Sequence, residues 1–123
     1  MARILVMDDD ALVRHSLRAV LEAAGYDVIE AADGKAGLRL HGEQGADLVI
    51  VDVFMPERDG LEVIRTLRTE IPRPKIVAIS GGGRTARSDM LTVAAAFGAS
   101  RTLRKPFEPR ELLAVIRDLL GER

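Results

Sequence analysis

The sequence predicts an α/β fold in which a doubly wound, five-stranded parallel sheet is covered by five helices. Short apolar runs alternate along the chain with segments of helical period, which is the pattern of such a sheet. Each connection between successive runs is long enough to contain a helix. The run 48–51 (LVIV) has four consecutive apolar residues, as expected for a strand buried on both faces.

The composition is that of a single globular domain. Hydrophobic residues make up 47% of the 123 positions and charged residues 30%. Lys and Arg number 18 against 19 Asp and Glu, so the chain lacks the basic surface of a nucleic-acid-binding domain. It has no cysteine, no signal peptide and no apolar run of membrane-spanning length. We expect one domain over residues 1–123, without an effector domain, that is cytoplasmic and contacts neither nucleic acid nor membrane directly.

The five predicted strands are apolar runs bounded by acidic residues, turns or prolines. The first stops at the aspartates 8–10, and the third stops at Asp52. The second is more polar and the fifth is charged, so both are expected at sheet edges. The predicted strands are Arg3 to Met7, Tyr26 to Ala31, Asp47 to Val51, Lys75 to Ser80 and Arg101 to Lys105.

The five helices are predicted from apolar residues at helical spacing and from the glycines and prolines beside them. Gly37 weakens the second helix, Pro72 and Pro74 end the third, and Pro109 suits the first turn of the fifth. The predicted helices are Ala11 to Ala24, Lys35 to His41, Gly60 to Thr69, a fourth capped by Ser88 or Asp89 and ending at Gly98, and a fifth from Pro109 to Leu120.

Polar residues stand at the carboxyl ends of four predicted strands. Asp8 and Asp9 follow the first strand, Asp52 ends the third, Ser80 ends the fourth and Lys105 ends the fifth. Parallel strands end at one edge of a sheet, so these side chains are expected to converge. Three neighbouring carboxylates stay ionised together only beside a cation, and an all-oxygen ligand set favours Mg²⁺. The set suits phosphoryl transfer onto Asp52.

Simpler roles exist for several of these residues taken singly. An aspartate can cap the first helix, a role that suits Asp10 best. Ser80 can be a turn residue, and Lys105 a charge at a strand end. His15 and His41 have no second ligand at useful spacing, so we expect both at the surface or rim.

Four segments carry the polar residues at the strand ends, and they occur in this order along the chain: ILVMDDD, LVIVDVFMPERDG, VAISG and LRKPF. Together they resemble the receiver domains of two-component response regulators, the CheY-like superfamily, over essentially the whole chain. The resemblance implies that Asp52 accepts a phosphoryl group from a sensor histidine kinase or a histidine phosphotransfer protein. It also implies that the chain hydrolyses its own acyl phosphate and is not a turnover enzyme on an external substrate.

The resemblance further implies a metal site for Mg²⁺ or Mn²⁺. Asp9 and Asp52 would bind the ion directly, together with the backbone carbonyl of Phe54. Asp8 would act through a water molecule or by positioning.

The resemblance makes Ser80 the switch hydroxyl and Lys105 a contact of the phosphoryl group. The output face would comprise the fourth helix, fifth strand and fifth helix, which would bind a downstream effector or form a homodimer on activation. Family members often have an aromatic residue where this chain has Thr102, so transmission is expected to depend on the glycines 81–83.

Three other functions compete with this hypothesis. A receiver-like interaction module that works without phosphorylation would not need the full acidic set. A phosphatase similar to the haloacid dehalogenase family needs a second aspartate two residues after the nucleophile, where this chain has Phe54. A flavin-binding flavodoxin-like domain needs a hydroxyl-rich phosphate loop after the first strand, where this chain has aspartates.

Overall fold

One parallel five-stranded sheet with helices on both faces forms the structure, a computed structural model that describes residues 2–53, 60–80 and 85–122. The strand order is β2-β1-β3-β4-β5. The strands are β1 (Arg3–Met7), β2 (Asp27–Ala31), β3 (Leu48–Asp52), β4 (Lys75–Ser80) and β5 (Arg101–Arg104). The helices are α1 (Ala11–Ala23), α2 (Gly34–Gln44), α3 (Gly60–Leu67), α4 (Thr85–Phe97) and α5 (Pro109–Leu120). The predicted fold class is confirmed.

The central strand β3 is buried along its whole length, as its apolar run predicts. It pairs with β1 on one side and with β4 on the other. Side chains on the two faces of the sheet form two separate apolar clusters, one under α2, α3 and α4 and one under α1 and α5. The two strands predicted at the sheet edges, β2 and β5, lie there.

Helix α1 begins where its sequence predicts. The carboxylate of Asp10 accepts hydrogen bonds from the backbone amides of Leu12 (2.9 Å) and Val13 (3.4 Å). These bonds satisfy amides that have no partner within the helix. Asp10 is therefore the helix cap, and Asp8 and Asp9 are left for another role.

Four helices differ from their predicted bounds. Helix α1 ends one residue early, at Ala23, and α3 ends two residues early, at Leu67. Helix α2 runs from Gly34 to Gln44, past the predicted end at His41. Helix α4 begins at Thr85, so Ser88 and Asp89 lie inside it and the predicted cap is wrong. Phe97 ends α4 immediately before Gly98, as predicted.

The surface position predicted for His41 is wrong, whereas His15 is exposed as predicted. His41 is buried, and its Nδ1 accepts a hydrogen bond of 3.0 Å from the amide of Ala46. The imidazole thus holds the turn that connects α2 to β3. Its position on the inner face of a longer α2 could not be inferred from a helix predicted to end at that residue.

Gly37 lies where α2 packs directly on β1. A Cβ atom at Gly37 would overlap the thioether of Met7, which is fully buried. Glycine costs a helix about 1 kcal/mol relative to alanine, but here it permits close packing. Gly42, in the same helix, has open space around its Cβ position.

Replacing these two glycines by alanine is therefore expected to have opposite effects. Gly42→Ala should raise the free energy of unfolding by up to about 1 kcal/mol through helix propensity. Gly37→Ala should lower it by about 1–3 kcal/mol because the added methyl group overpacks the core against Met7. Urea unfolding measures both changes, and a stabilising Gly37→Ala would contradict the packing argument.

Tyr26 connects the start of β2 to the end of the chain. Its buried ring carries a hydroxyl that donates a 2.7 Å hydrogen bond to the carboxylate of Glu122. Burial, reinforced by this bond to an anion, raises the pKa of Tyr26 to about 12. Because the folded state keeps the proton more tightly, this stabilising contribution is complete below pH ~10. It is lost as the pH rises from there through the folded-state pKa of about 12.

The absorbance of the tyrosinate anion tests this contact without interference, because the chain has one tyrosine and no tryptophan. We expect the wild type to titrate near 12 and Glu122→Gln to titrate closer to 10. Glu43→Gln, which replaces another exposed carboxylate, should titrate like the wild type. Equal midpoints for the wild type and Glu122→Gln would show that the contact does not form.

Candidate functional site

Two adjacent strands bring three carboxylates together. Strand β1 ends next to β3, with Met7 paired to Val51, so Asp8 and Asp52 emerge side by side. One carboxylate oxygen from each of Asp8, Asp9 and Asp52 lies within 4.8 Å of the other two. The predicted convergence of these acidic residues is confirmed. Asp8 and Asp52 are buried, and Asp9 is exposed.

Lys105 follows the edge strand β5, and its side chain extends past the end of β4 to this acidic group. Its backbone amide donates to the carbonyl of Ser80 (2.8 Å), which fixes the chain just beyond β5. Its Nζ lies 3.2 Å from Oδ2 of Asp8 and 3.6 Å from Oδ2 of Asp52. The ammonium group therefore bridges carboxylates from two strands, and the predicted convergence extends to Lys105.

The described side chains of the site carry an excess of negative charge. Among them, three carboxylates and the ammonium of Lys105 give a local charge of about −2 when all are ionised. Burial raises the pKa of Asp8, and the neighbouring charge of Asp52 raises it further. The amide of Asp10, which donates a 3.0 Å bond to Asp8, and the ammonium of Lys105 oppose these effects. A divalent cation would offset the excess charge, and the donors are all oxygens, so the residues fit Mg²⁺ or Mn²⁺.

Ser80 ends β4 at the same edge. The residue is 1% exposed, and its hydroxyl has no hydrogen-bond partner among the described residues. Leaving a buried hydroxyl unpaired costs about 1–3 kcal/mol, and native structures seldom do so without a reason. Such a hydroxyl is suited to a group that arrives in another state of the protein.

Gly60 allows α3 to pack closely against the end of β3. Sequence reasoning missed this role of Gly60. A Cβ atom at this first residue of α3 would lie 2.7 Å from the Cα atom of Val53 and would also collide with the carbonyl of Asp52. Only glycine allows the helix to approach this backbone so closely. The signal in the sequence was a glycine opening a helix soon after a buried strand.

A network of two arginines around Glu30 borders the site and was also missed. Glu30 on β2 accepts bonds from Nε of Arg14 (3.1 Å) and from Nη1 of Arg18 (3.0 Å). Burial alone would raise the pKa of Glu30, but the bonds from Arg18 and Arg14 outweigh it and lower the pKa. In the sequence, Arg14, Arg18 and Glu22 recur every four residues opposite the apolar face of α1, which predicts that they face water. The side chain of Arg14 is nevertheless only 15% exposed.

The remaining predicted features are Phe54, the glycines 81–83 and Thr102. Phe54 and the glycines 81–83 lie outside the described residues. Thr102 contributes to a surface cavity of about 440 Å³ between α4 and β5. The other described residues that line it are Leu91, Thr92, Ala95 and Arg104.

Asp8 and Glu30 are expected to affect stability with opposite dependence on pH. The folded state raises the pKa of Asp8, so in the absence of divalent cations its contribution to stability decreases as the pH rises above roughly 4. The folded state lowers the pKa of Glu30, so its contribution is present above roughly 4 and is lost on acidification.

Urea unfolding between pH 3 and 7, in the presence of a chelator, measures both effects. The free energy of unfolding of Asp8→Asn should rise relative to the wild type as the pH rises, and that of Glu30→Gln should fall. Two differences with the same sign would contradict the assigned environments.

A family model described as the response regulator receiver domain matches residues 4–117. The response regulator MprA of Mycolicibacterium vanbaalenii is 44% identical over 120 residues, which are 96% of this chain and 50% of that protein. The regulatory protein VirG of Rhizobium rhizogenes is 37% identical over 123 residues, all of this chain and 50% of that protein. The chain thus spans about half the length of these curated relatives.

Solved structures agree with the family match. A CheY-like response regulator receiver domain protein from Methanospirillum hungatei has a TM-score of 0.88 at 29% identity, over 98% of this chain and 94% of that one. A receiver domain protein from Clostridium thermocellum has a TM-score of 0.89 at 29% identity, over 98% and 95%. No helix in the described part of the chain is long and apolar enough to cross a membrane. Sequence, fold and the geometry of the acidic site together place this chain in the response regulator receiver domain family.

Proposed function

We propose that Asp52 is the phosphoacceptor of a two-component signalling switch. One observation carries the proposal: the buried carboxylate of Asp52 lies in a cluster with two further carboxylates and 3.6 Å from the ammonium of Lys105. The hydroxyl of Ser80 at the same sheet edge, which no described residue binds, supports it. The donor would be a phosphohistidine of a sensor histidine kinase or of a histidine phosphotransfer protein.

The transfer exchanges one bond for another. A carboxylate oxygen of Asp52 forms a bond to phosphorus while the bond from phosphorus to the imidazole nitrogen of the donor breaks. The imidazole nitrogen keeps the electron pair, so the donor leaves as an ordinary histidine side chain. Lys105 donates to the phosphoryl oxygens as charge shifts onto the phosphoryl group and its new bond.

Asp8, Asp9 and Asp52 are the residues that would hold Mg²⁺ or Mn²⁺, together with the carbonyl of Phe54, which lies outside the described part of the chain. The ion, when bound, neutralises carboxylate and phosphoryl charge. Asp8 orients the site from a fixed position because the amide of Asp10 and the ammonium of Lys105 both bind it. Asp9, being exposed, is the more accessible direct ligand.

The phosphoryl group would change partner binding through Ser80. Its hydroxyl, which has no partner among the described residues, would donate to the phosphoryl group. Ser80 is the last residue of β4, and α4 is the next element along the chain. The surface formed by α4, β5 and α5 would then bind a downstream effector or a second copy of the chain. Autodephosphorylation by water would reset the switch, so the chain signals and does not turn over an external substrate.

Intact-mass measurement after incubation with acetyl phosphate and Mg²⁺ tests the proposal. The wild type should gain one phosphoryl group, and Asp52→Asn should gain none. Asp118→Asn, which replaces an exposed aspartate that pairs with Arg101 far from the site, should react like the wild type. Chelating the Mg²⁺ should abolish the adduct in every variant.

Two outcomes would contradict this assignment. Absence of an adduct on the wild type would favour an interaction module that works without phosphorylation. An adduct that persists in Asp52→Asn would place the phosphoryl group on another residue.

A further inference from the structure

We propose that Arg14 is a positioning residue of the acidic site, which it orders by binding the backbone carbonyl of Asp8. The inference rests on the proposed function, because it concerns the metal ligands of the phosphoacceptor site. It adds a residue of α1 that acts on the site through the backbone carbonyl of Asp8.

The backbone of Asp8 is held from two sides. Its amide donates to the carbonyl of Ala31 on β2 (3.2 Å). Its carbonyl accepts a hydrogen bond of 2.8 Å from Nη1 of Arg14. That carbonyl belongs to the peptide group that joins Asp8 to Asp9, so the arginine fixes the plane from which both carboxylates project.

Arg14 is itself held in place. Its Nε donates to one oxygen of Glu30, and the other oxygen of Glu30 is bound by Arg18. The side chains of Arg14 and Glu30 are 15% and 14% exposed. A planar guanidinium group can donate in two directions at fixed geometry. Arg14 uses this property to connect the end of β2, through Glu30, to the chain just beyond β1.

A small displacement of this peptide would affect the metal site. Metal ligands require their geometry to be held within about 0.5 Å. Losing a partner that orients a ligand typically weakens metal binding by 10–100-fold. Asp8 and Asp9 are consecutive, so rotation of their shared peptide would move both carboxylates in a coordinated way.

A purely structural role would give a different result, and Arg18 provides the matched control. Both arginines bind Glu30, but Arg14 alone of the two also donates to the carbonyl of Asp8. If the network only attaches α1 to β2, removing either arginine should affect stability and leave metal binding alone. If Arg14 positions the acidic site, metal affinity should depend on Arg14 and not on Arg18.

Titration with Mg²⁺ alone, followed by amide chemical shifts in nuclear magnetic resonance spectra, gives the dissociation constant for each variant. Arg14→Gln should weaken Mg²⁺ binding about tenfold and shift the amide resonance of Asp9 in the metal-free protein. Arg18→Gln should bind Mg²⁺ like the wild type. Urea unfolding establishes that each variant is folded. Arg14→Lys replaces Arg14→Gln if the latter is unfolded, because lysine lacks the fork that contacts both partners.

Unchanged Mg²⁺ affinity in the folded Arg14 variant would overturn the inference, as would equal weakening in Arg18→Gln. The intact-mass assay separates this result from the proposed function. If the wild type is phosphorylated and the Arg14 variant keeps full Mg²⁺ affinity, the positioning role alone is wrong. If Arg14→Gln weakens Mg²⁺ binding and the wild type forms no phosphoryl adduct, the positioning role stands and the phosphoacceptor proposal fails.

Discussion

Repulsion among three carboxylates at the ends of β1 and β3 is the constraint on which the rest of this edge depends. Asp8 and Asp52 are buried, where like charges are costly. Lys105 offsets part of that cost from the end of β5, and the amide of Asp10 offsets part from the start of α1. A domain selected for stability alone has no reason to collect this charge, which is why the cluster indicates a cation and an anionic phosphoryl group.

The sheet makes such a site possible because its strand ends are rigid. The central strand β3 is buried along its length, so Asp52 has little freedom at its carboxyl end. Close packing by Gly60 brings α3 against the same backbone. The hydroxyl of Ser80 and the carbonyl of Asp8 lie at this rigid edge. The hydroxyl has no partner in the described part of the chain, and the carbonyl is held by Arg14. One edge of the sheet thus presents both a fixed carbonyl and a hydroxyl that can accept a new partner.

Sequence reasoning succeeded where one local signal determines the outcome. Continuous apolar runs predicted the strands, and the rule that parallel strands share one carboxyl edge predicted that Asp8, Asp52 and Lys105 meet. Sequence reasoning failed where contacts between residues distant in the chain determine the role of a side chain. Helix propensity counts Gly37 as a defect, whereas contact with Met7 makes glycine necessary there. Helical period places Arg14 towards water, but period cannot show that Glu30 on β2 and the Asp8 carbonyl lie within its reach.

A crystal structure with Mg²⁺ and beryllofluoride, a mimic of the phosphoryl group, tests the central claim most directly. We expect beryllofluoride on a carboxylate oxygen of Asp52, the metal ion among the three carboxylates, and the fluorines within hydrogen-bond distance of Ser80 Oγ and Lys105 Nζ. Beryllofluoride bound elsewhere, or a Ser80 hydroxyl and Lys105 ammonium that both remain away from it, would contradict the account.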